Sequence, residues 1–179
     1  MSDSLITVIA IMLTAVLLLV LPVMTMANRV DNISKTDVET MTSNFVNEIR
    51  TIGKLTSENY NKFIEELTST GNTYDIEMEF KILDENPGKK STQSAKDKIG
   101  ENVYYSVFTT QIQEALNGEN KVYNLKEGDI ISVNVKNTNL TLAQSLKNFF
   151  YTMVGNDTYT IAASSSGLVL RNGDTQVTQ

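Results

Sequence analysis

The chain has 179 residues, of which 15 are basic and 21 acidic, and its formal net charge is −6. A chain with this balance presents no basic face, so we expect no nucleic-acid partner. Cysteine, histidine and tryptophan are absent. Their absence excludes disulfides, thiolate and imidazole metal sites, and any nucleophile that a histidine activates. The composition therefore predicts a protein that is not an enzyme, with no catalytic residue, no metal and no cofactor.

The first element is an uncharged apolar run from Leu5 to Ala27. No charged residue lies between Asp3 and Arg29. An apolar run of more than about 18 residues matches the ~30 Å hydrocarbon core of a bilayer and predicts a membrane-spanning helix. The few basic residues that flank the run do not fix its orientation in the membrane.

Three interpretations of the apolar run stay open. A cleaved secretory signal would have Thr25 and Ala27 at its cleavage site, before Asn28, but such signals begin with basic residues and this chain has none there. A membrane anchor requires only length and apolarity. A filament-forming helix also requires that the run and the segment after it form one helix.

The segment that follows Arg29 predicts such a continuation. Its apolar residues recur mostly three or four positions apart, which places them along one stripe of a helix. Gly53 permits a left-handed cap, and a helix from Ser4 to Ile52 would be roughly 70 Å long. We predict that six stripe residues pack against the rest of the chain: Val30, Ile33, Val38, Met41, Phe45 and Ile49.

Seven residues of the N-terminal segment are candidates for contacts between subunits. Asp3 is the only charged side chain before Arg29, and it lies either at the membrane interface or beside an opposite charge, such as the terminal amine of a neighbouring subunit. Pro22 removes a helical hydrogen bond and usually loosens the preceding turn. We expect the other five in helix–helix contacts: Leu5, Ile9, Met12, Val16 and Leu19.

The chain then divides into three predicted parts, a helix and stalk at 1–53, a globular head at 54–171 and a polar tail at 172–179. The fold class is α+β, with about three strands and three short helices in the head.

The elements of the head are predicted in chain order. Its first half contains a helix capped by Thr56 or Ser57 and ended by Gly71, a strand from Tyr74 to Ile82, a turn at Asn86–Gly88, a surface loop at Lys89–Lys98 and a helix from Val103 to Leu116. The second half predicts a strand across Ile131–Val135, a helix from a Thr141–Gln144 capping box to Gly155, and a strand from Tyr159 to Leu170 that Ser164–Gly167 interrupt.

Two polar groups in the head invite a chemical interpretation. Asp75, Glu77 and Glu79 share one face of a predicted strand and could hold a hard cation, but such a row is more often a solvated face. The serines at 164–166 have no histidine or Ser-x-x-Lys partner to activate them, so we interpret them as a polar strand or bulge.

The pattern as a whole resembles the type IV pilin superfamily, and most closely the TadE-like pilin or pseudopilin proteins of tight-adherence-type systems. The resemblance rests on the apolar helix with Pro22, its amphipathic continuation to Gly53, and a C-terminal sheet domain. Three segments are similar to the closing strands of TadE-like proteins: Lys126–Val135, Phe149–Tyr151 and Tyr159–Ser164. The family usually has a basic leader and a glutamate early in the helix, whereas this sequence has no glutamate before Glu39. Either Asp3 replaces that glutamate, or the protein is inserted without processing.

This resemblance implies a structural subunit of an extracellular type IV-like pilus or pseudopilus that works in adhesion or protein secretion. Such a subunit resides in the cell membrane before assembly. A pilus assembly ATPase and a platform protein then extract it, and it forms a helical homo-oligomer on the cell surface. The main alternative is a bitopic membrane protein whose single exposed domain senses or binds a ligand. A membrane-tethered enzyme that uses carboxylates alone is the third alternative.

Overall fold

A computed structural model describes residues 2–84, 104–154 and 161–173 of the chain. The fold is α+β, as the sequence predicts, with one long N-terminal helix and a small head. The elements are α1 (Ser2–Ile52), β1 (Lys54–Thr56), α2 (Ser57–Thr68), β2 (Tyr74–Leu83), β3 (Tyr104–Phe108), α3 (Thr109–Asn117), β4 (Val122–Asn124), β5 (Ile130–Asn137), α4 (Leu142–Val154) and β6 (Ala162–Leu168). The predicted turn at 86–88 and the loop at 89–98 lie outside the described residues, as does the predicted start of the last strand at Tyr159.

Helix α1 is unbroken over 51 residues and continues through Pro22. At 1.5 Å per residue it is about 75 Å long. It ends where predicted, because Gly53 adopts a φ of +78° and its N–H donates to the carbonyl of Ile49 at 2.7 Å. The apolar run and the stalk are therefore one helix.

The main sheet of the head has four antiparallel strands in the order β3-β2-β5-β6. Its register sets Phe80 opposite Ile131 and Met78 opposite Val133. Side chains alternate between the faces of a strand, so these four residues share one face, and all four are buried. Strands β1 and β4 form a separate two-stranded ribbon.

One hydrophobic core fills the space between this face and helices α1, α2 and α3. Phe45 of α1 stacks on Phe63 of α2, with ring centroids 4.1 Å apart and an interplanar angle of 3°. The buried members of the core are Val38, Phe45, Val46, Ile49, Leu55, Phe63, Leu67, Met78, Phe80, Ile112, Leu116, Leu125, Ile131, Val133, Val135, Ala163 and Val169. The second half of α1 therefore belongs to the core of the head.

Two predicted helix starts are confirmed by their hydrogen bonds. Thr56 caps α2, because its Oγ1 accepts from the N–H of Asn59 at 3.2 Å. The capping box of α4 forms as predicted: the N–H of Gln144 donates to Thr141 Oγ1 at 3.1 Å, and the N–H of Thr141 donates to Gln144 Oε1 at 2.9 Å. Helix α4 packs against α1.

The predicted helix from Val103 to Leu116 is wrong in its first half. Residues Tyr104–Phe108 form strand β3, which pairs with the outer edge of β2, and only Thr109–Asn117 are helical. Tyrosine and valine have high strand propensity, and the free edge of β2 offers backbone hydrogen bonds to this segment, so the segment forms a strand rather than a helix. The apolar spacing of these residues suited a helix, but Tyr104, Tyr105 and Phe108 are exposed rather than buried.

Strand β6 also departs from the prediction, since Ser164–Gly167 do not interrupt it. These residues pair with β5 in continuous register. Ala163, Ser165 and Gly167 share the face that meets α1, and a Cβ at Gly167 would lie 3.1 Å from Arg50 Cδ. Small side chains permit this close approach of α1 to the sheet. The predicted count of about three strands was low, because β1 and β4 have only three residues each and β3 was predicted as part of a helix.

The head has two ends along α1, which we name by their distance from the apolar run. The proximal pole consists of the turns at 69–73 and 138–142, which lie beside Ala27 and Val30 of α1. The distal pole consists of the turns at 125–129 and 169–173, which lie beside the end of α1, where Gly53 O accepts from the N–H of Leu125 at 2.8 Å. The two turns of the distal pole are joined to each other, because the N–H of Gly173 donates to Leu125 O at 2.9 Å.

Candidate functional site

The candidate site is the first half of α1, residues 3–26, which we call the free half. None of its residues is buried by the described parts of the chain, and the first buried residue of α1 is Ala27. The exposed apolar side chains lie on every side of the helix rather than along one stripe. A helix that is apolar all round is stable only when something apolar surrounds it. By length and composition this helix could span a membrane or serve as a signal sequence.

The polar groups of the free half make hydrogen bonds inside the helix. The hydroxyls of Thr7, Thr14 and Thr25 each donate to the backbone carbonyl four residues earlier, at 2.7, 2.7 and 2.9 Å. A threonine that donates to its own helix needs no water, which lets it enter an apolar environment at low cost. The three threonines therefore do not conflict with a surrounding of lipid or of other helices.

The predicted subunit contacts all lie on this free half. Leu5, Ile9, Met12, Val16 and Leu19 are between 55% and 72% exposed. Pro22 and Asp3 are exposed too, and Asp3 lies in the first turn of α1, where a carboxylate is favoured by the helix dipole. These five predicted contact residues are as exposed as Ile6, Leu13 and Leu18, which were not predicted. Their role in contacts between subunits stays a prediction.

The second half of α1, residues 27–52, is the packed half, and it contains the predicted stalk stripe. Val38, Phe45 and Ile49 are buried in the core, and Met41 is partly buried against it. The prediction is wrong for Val30 and Ile33, which are exposed. Ile33 precedes Val38 by five residues, which places it about 140° around the helix from the packed face.

The buried face of the packed half consists instead of residues that the apolar pattern did not select. Near the apolar run, α1 buries Ala27, Asp31 and Ser34, and beyond Val38 it buries Thr42 as well. These small or polar residues continue the spacing of three or four that leads to Val38, and that spacing was the available signal. The predicted stripe contained only large apolar side chains, and it was therefore wrong over the first two turns of the packed half.

Asp31 is the centre of a polar junction between α1 and the proximal pole. The carboxylate is 3% exposed, and its Oδ2 accepts from the hydroxyl of Thr141 at 2.8 Å. Gln144 Oε1 accepts from Asn137 Nδ2 at 3.1 Å, and Asn137 Oδ1 accepts from the N–H of Ile161 at 2.9 Å. The junction thus connects α1, α4 and the end of β5 through buried hydrogen bonds. Removing one partner of such a bond leaves a buried polar group unsatisfied, which lowers the free energy of unfolding.

The remaining polar candidates show no site chemistry. In the described part of the chain, no group of three or more acidic side chains is placed to hold a metal ion. Asp75 and Glu77 are exposed, and Glu79 accepts from the hydroxyl of Ser106 at 2.7 Å, so the acidic row is a solvated strand face. Burial is the main cause that raises the pKa of Tyr123 above its usual value, and nearby Tyr105 and Asp129 add to it.

Comparisons with known proteins found no match for this chain among protein-family models, curated proteins or solved structures.

Proposed function

We propose that this protein is a structural subunit of an extracellular pilus-like filament, held in the membrane by its free half before assembly and packed through the same half afterwards. The observation that carries the proposal is the continuity of α1. One helix is apolar all round over its first half and is built into the core of the head over its second half. A simple anchor has no need of such a rigid connection, whereas a subunit that transmits the position of its helix to its head does.

The physical basis of assembly is the exchange of lipid for protein around the free half. In lipid the apolar helices gain no hydrophobic free energy from association. Once they leave the bilayer, burial of apolar surface at about 25 cal/mol per Å² would hold them together. The resemblance to TadE-like pilins agrees with this order of events and adds an assembly ATPase and a platform protein as partners.

The experiment that tests the proposal is electron microscopy of material sheared from cells that carry the assembly machinery, with an antibody against the head. We expect labelled filaments from the unaltered chain and from Ile33→Asp, whose isoleucine is exposed outside the free half. We expect no filaments from Ile9→Asp, because an uncompensated carboxylate in an apolar helix bundle costs several kcal/mol. The head of Ile9→Asp should stay folded, since residue 9 does not touch the core.

A charge at residue 9 also opposes insertion into lipid, although by less than the roughly 3 kcal/mol that it costs at the centre of a span. Ile9→Ala and Val16→Ala separate the two effects, because both keep the helix apolar and remove only packing. We expect these variants to remain in the membrane and to yield fewer filaments. Normal filaments from Ile9→Asp would contradict the proposal.

Two other results would replace the proposal with an alternative. Label confined to the membrane fraction, with a monomer after detergent extraction, would favour a bitopic sensor or binding protein. A mature chain that begins at Asn28 by mass spectrometry would identify the free half as a signal segment.

A further inference from the structure

The proximal pole differs from the distal pole in its charge. None of the ten residues at 69–73 and 138–142 is charged, although 20% of the whole chain is. They are serine, threonine, asparagine, one glycine and two leucines. The distal pole has the opposite character, because four of the ten residues at 125–129 and 169–173 are charged. Both poles are made of short turns, so the difference does not come from the type of local structure.

The two leucines of the proximal pole point away from the head. Leu140 is 66% exposed and Leu142 is 63% exposed, and they lie on either side of Thr141. Thr141 donates to the buried carboxylate of Asp31 at 2.8 Å, so the turn that carries both leucines is fixed against α1. Leu142 lines a cleft of about 380 Å³ together with Ala27 and Val30. The leucines therefore lie at the level of α1 where the apolar run ends.

The length of the apolar run sets the position of a bilayer relative to this pole. Leu5 to Ala27 contains 23 residues, which is about 34 Å of helix, close to the thickness of the hydrocarbon core. Arg29 is the first charged residue after the run and marks the polar boundary of the membrane. A bilayer around the free half would thus end beside Ala27, in contact with the turn at 138–142.

We infer that the proximal pole is a lipid-contacting surface, with Leu140 and Leu142 inserted into the interface of the bilayer that holds the free half. Uncharged hydroxyl and amide groups suit the headgroup region, and two exposed leucines suit the edge of the acyl chains. The absence of charge avoids both desolvation of ions and repulsion between an acidic head and anionic lipid. This inference rests on the membrane stage of the proposed function and not on the filament.

The absence of tryptophan from the chain makes a direct test possible, because one introduced tryptophan is then the only one. Four full-length variants are reconstituted into phosphatidylcholine vesicles: Leu140→Trp and Leu142→Trp at the proximal pole, Leu170→Trp at the distal pole, and Leu13→Trp in the free half. Leu170 is a matched control, since it is 55% exposed on a turn of similar length. Quenching is measured with phosphatidylcholine that is brominated near the headgroup end of its acyl chains.

We expect the emission of Leu140→Trp and Leu142→Trp to shift to the blue and to be weaker in brominated than in unbrominated vesicles, because a group at the acyl boundary lies near the bromine atoms. Leu170→Trp should show neither change. Tryptophan itself favours the interface, so Leu142→Ser is added to the Leu140→Trp variant, and the quenching should then decrease if the native leucine contributes.

Two outcomes would overturn the inference, and they are distinguishable. If Leu13→Trp is quenched while Leu140→Trp and Leu142→Trp behave as Leu170→Trp does, the free half spans the bilayer but the pole does not touch it. If Leu13→Trp is not quenched either, the membrane stage of the proposed function fails, and the inference fails with it.

Discussion

The two halves of α1 belong to one helix but are stabilised in different ways. The free half has one charged side chain, Asp3, and none of the residues of this half is buried by the described parts of the chain. The packed half has seven charged residues between Arg29 and Arg50, yet its inner face is buried in the head. The comparison teaches that apolar content alone does not decide which part of a helix enters a protein core. What decides it is whether the apolar residues form a face that the rest of the chain can cover.

The largest expected effect that tests this comparison comes from Phe45→Ala. The stacked pair with Phe63 would be lost and a cavity left in the core, at a cost of about 3–5 kcal/mol in the free energy of unfolding. Leu13→Ala is the control in the free half, and we expect it to change the stability of the head by less than about 0.5 kcal/mol. Urea unfolding in detergent micelles, followed by tyrosine near-ultraviolet circular dichroism, measures both. Equal effects would show that the two halves are not independent.

The end of the packed half is tested by Gly53→Ala, with Gly71→Ala as its control. Both glycines have a positive φ, of +78° and +80°, so alanine is strained at either position. At Gly53 a Cβ would also collide with backbone atoms of Arg171 and Gly173, whereas at Gly71 it would meet nothing within 4 Å. We expect a loss of roughly 2–4 kcal/mol for Gly53→Ala and about 1 kcal/mol for Gly71→Ala, from the same unfolding experiment. Similar losses would mean that the distal pole adjusts freely around the end of α1.

The smallest expected effect concerns the junction at the start of the packed half. Thr141→Val keeps the shape of the side chain but removes the donor to Asp31 and the acceptor for the N–H of Gln144. We expect a loss of about 1–3 kcal/mol, because a buried carboxylate loses a hydrogen bond and α4 loses its cap. Thr36→Val is the control: its exposed hydroxyl donates only to the carbonyl of Asn32 in its own helix, at 3.0 Å. A loss no larger than that of the control would show that water replaces the hydroxyl at the junction.

Local signals in the sequence were sufficient for several elements. The alternation from Tyr74 to Ile82 identified β2, the cap at Thr56 and the capping box at Thr141 located the starts of α2 and α4, and Gly53 located the end of α1. The glycine predicted to end α4, Gly155, lies outside the described residues. These features depend on bonds between residues that are close in the chain, so their pattern can be read without the fold. The same reasoning failed at Tyr104–Phe108, where spacing suggested a helix but pairing with β2 produced a strand.

The candidate site divides in the same way. The apolar run from Leu5 to Ala27 is recognisable by composition, because every face of the helix is apolar. The spacing of Asp31 and Ser34 before Val38 was visible, but the burial of Asp31 was not, because a buried carboxylate is tolerated only when a distant residue, here Thr141, supplies a hydrogen bond. A single sequence contains no sign of which distant hydroxyl that is.

The sequence by itself therefore determined that the chain has one long helix with an apolar first half, an α+β head, and no cysteine or histidine chemistry. Each of these follows from composition or from a period of 2 or 3.6 residues, which local geometry imposes. Tertiary structure alone decided which face of the second half of α1 enters the core of the head, that small residues of β6 receive it, and that an uncharged pole with Leu140 and Leu142 lies beside the point where the apolar run ends. These features depend on contacts between segments more than 100 residues apart, such as Arg50 with Leu168 and Asp31 with Thr141, which no local pattern records.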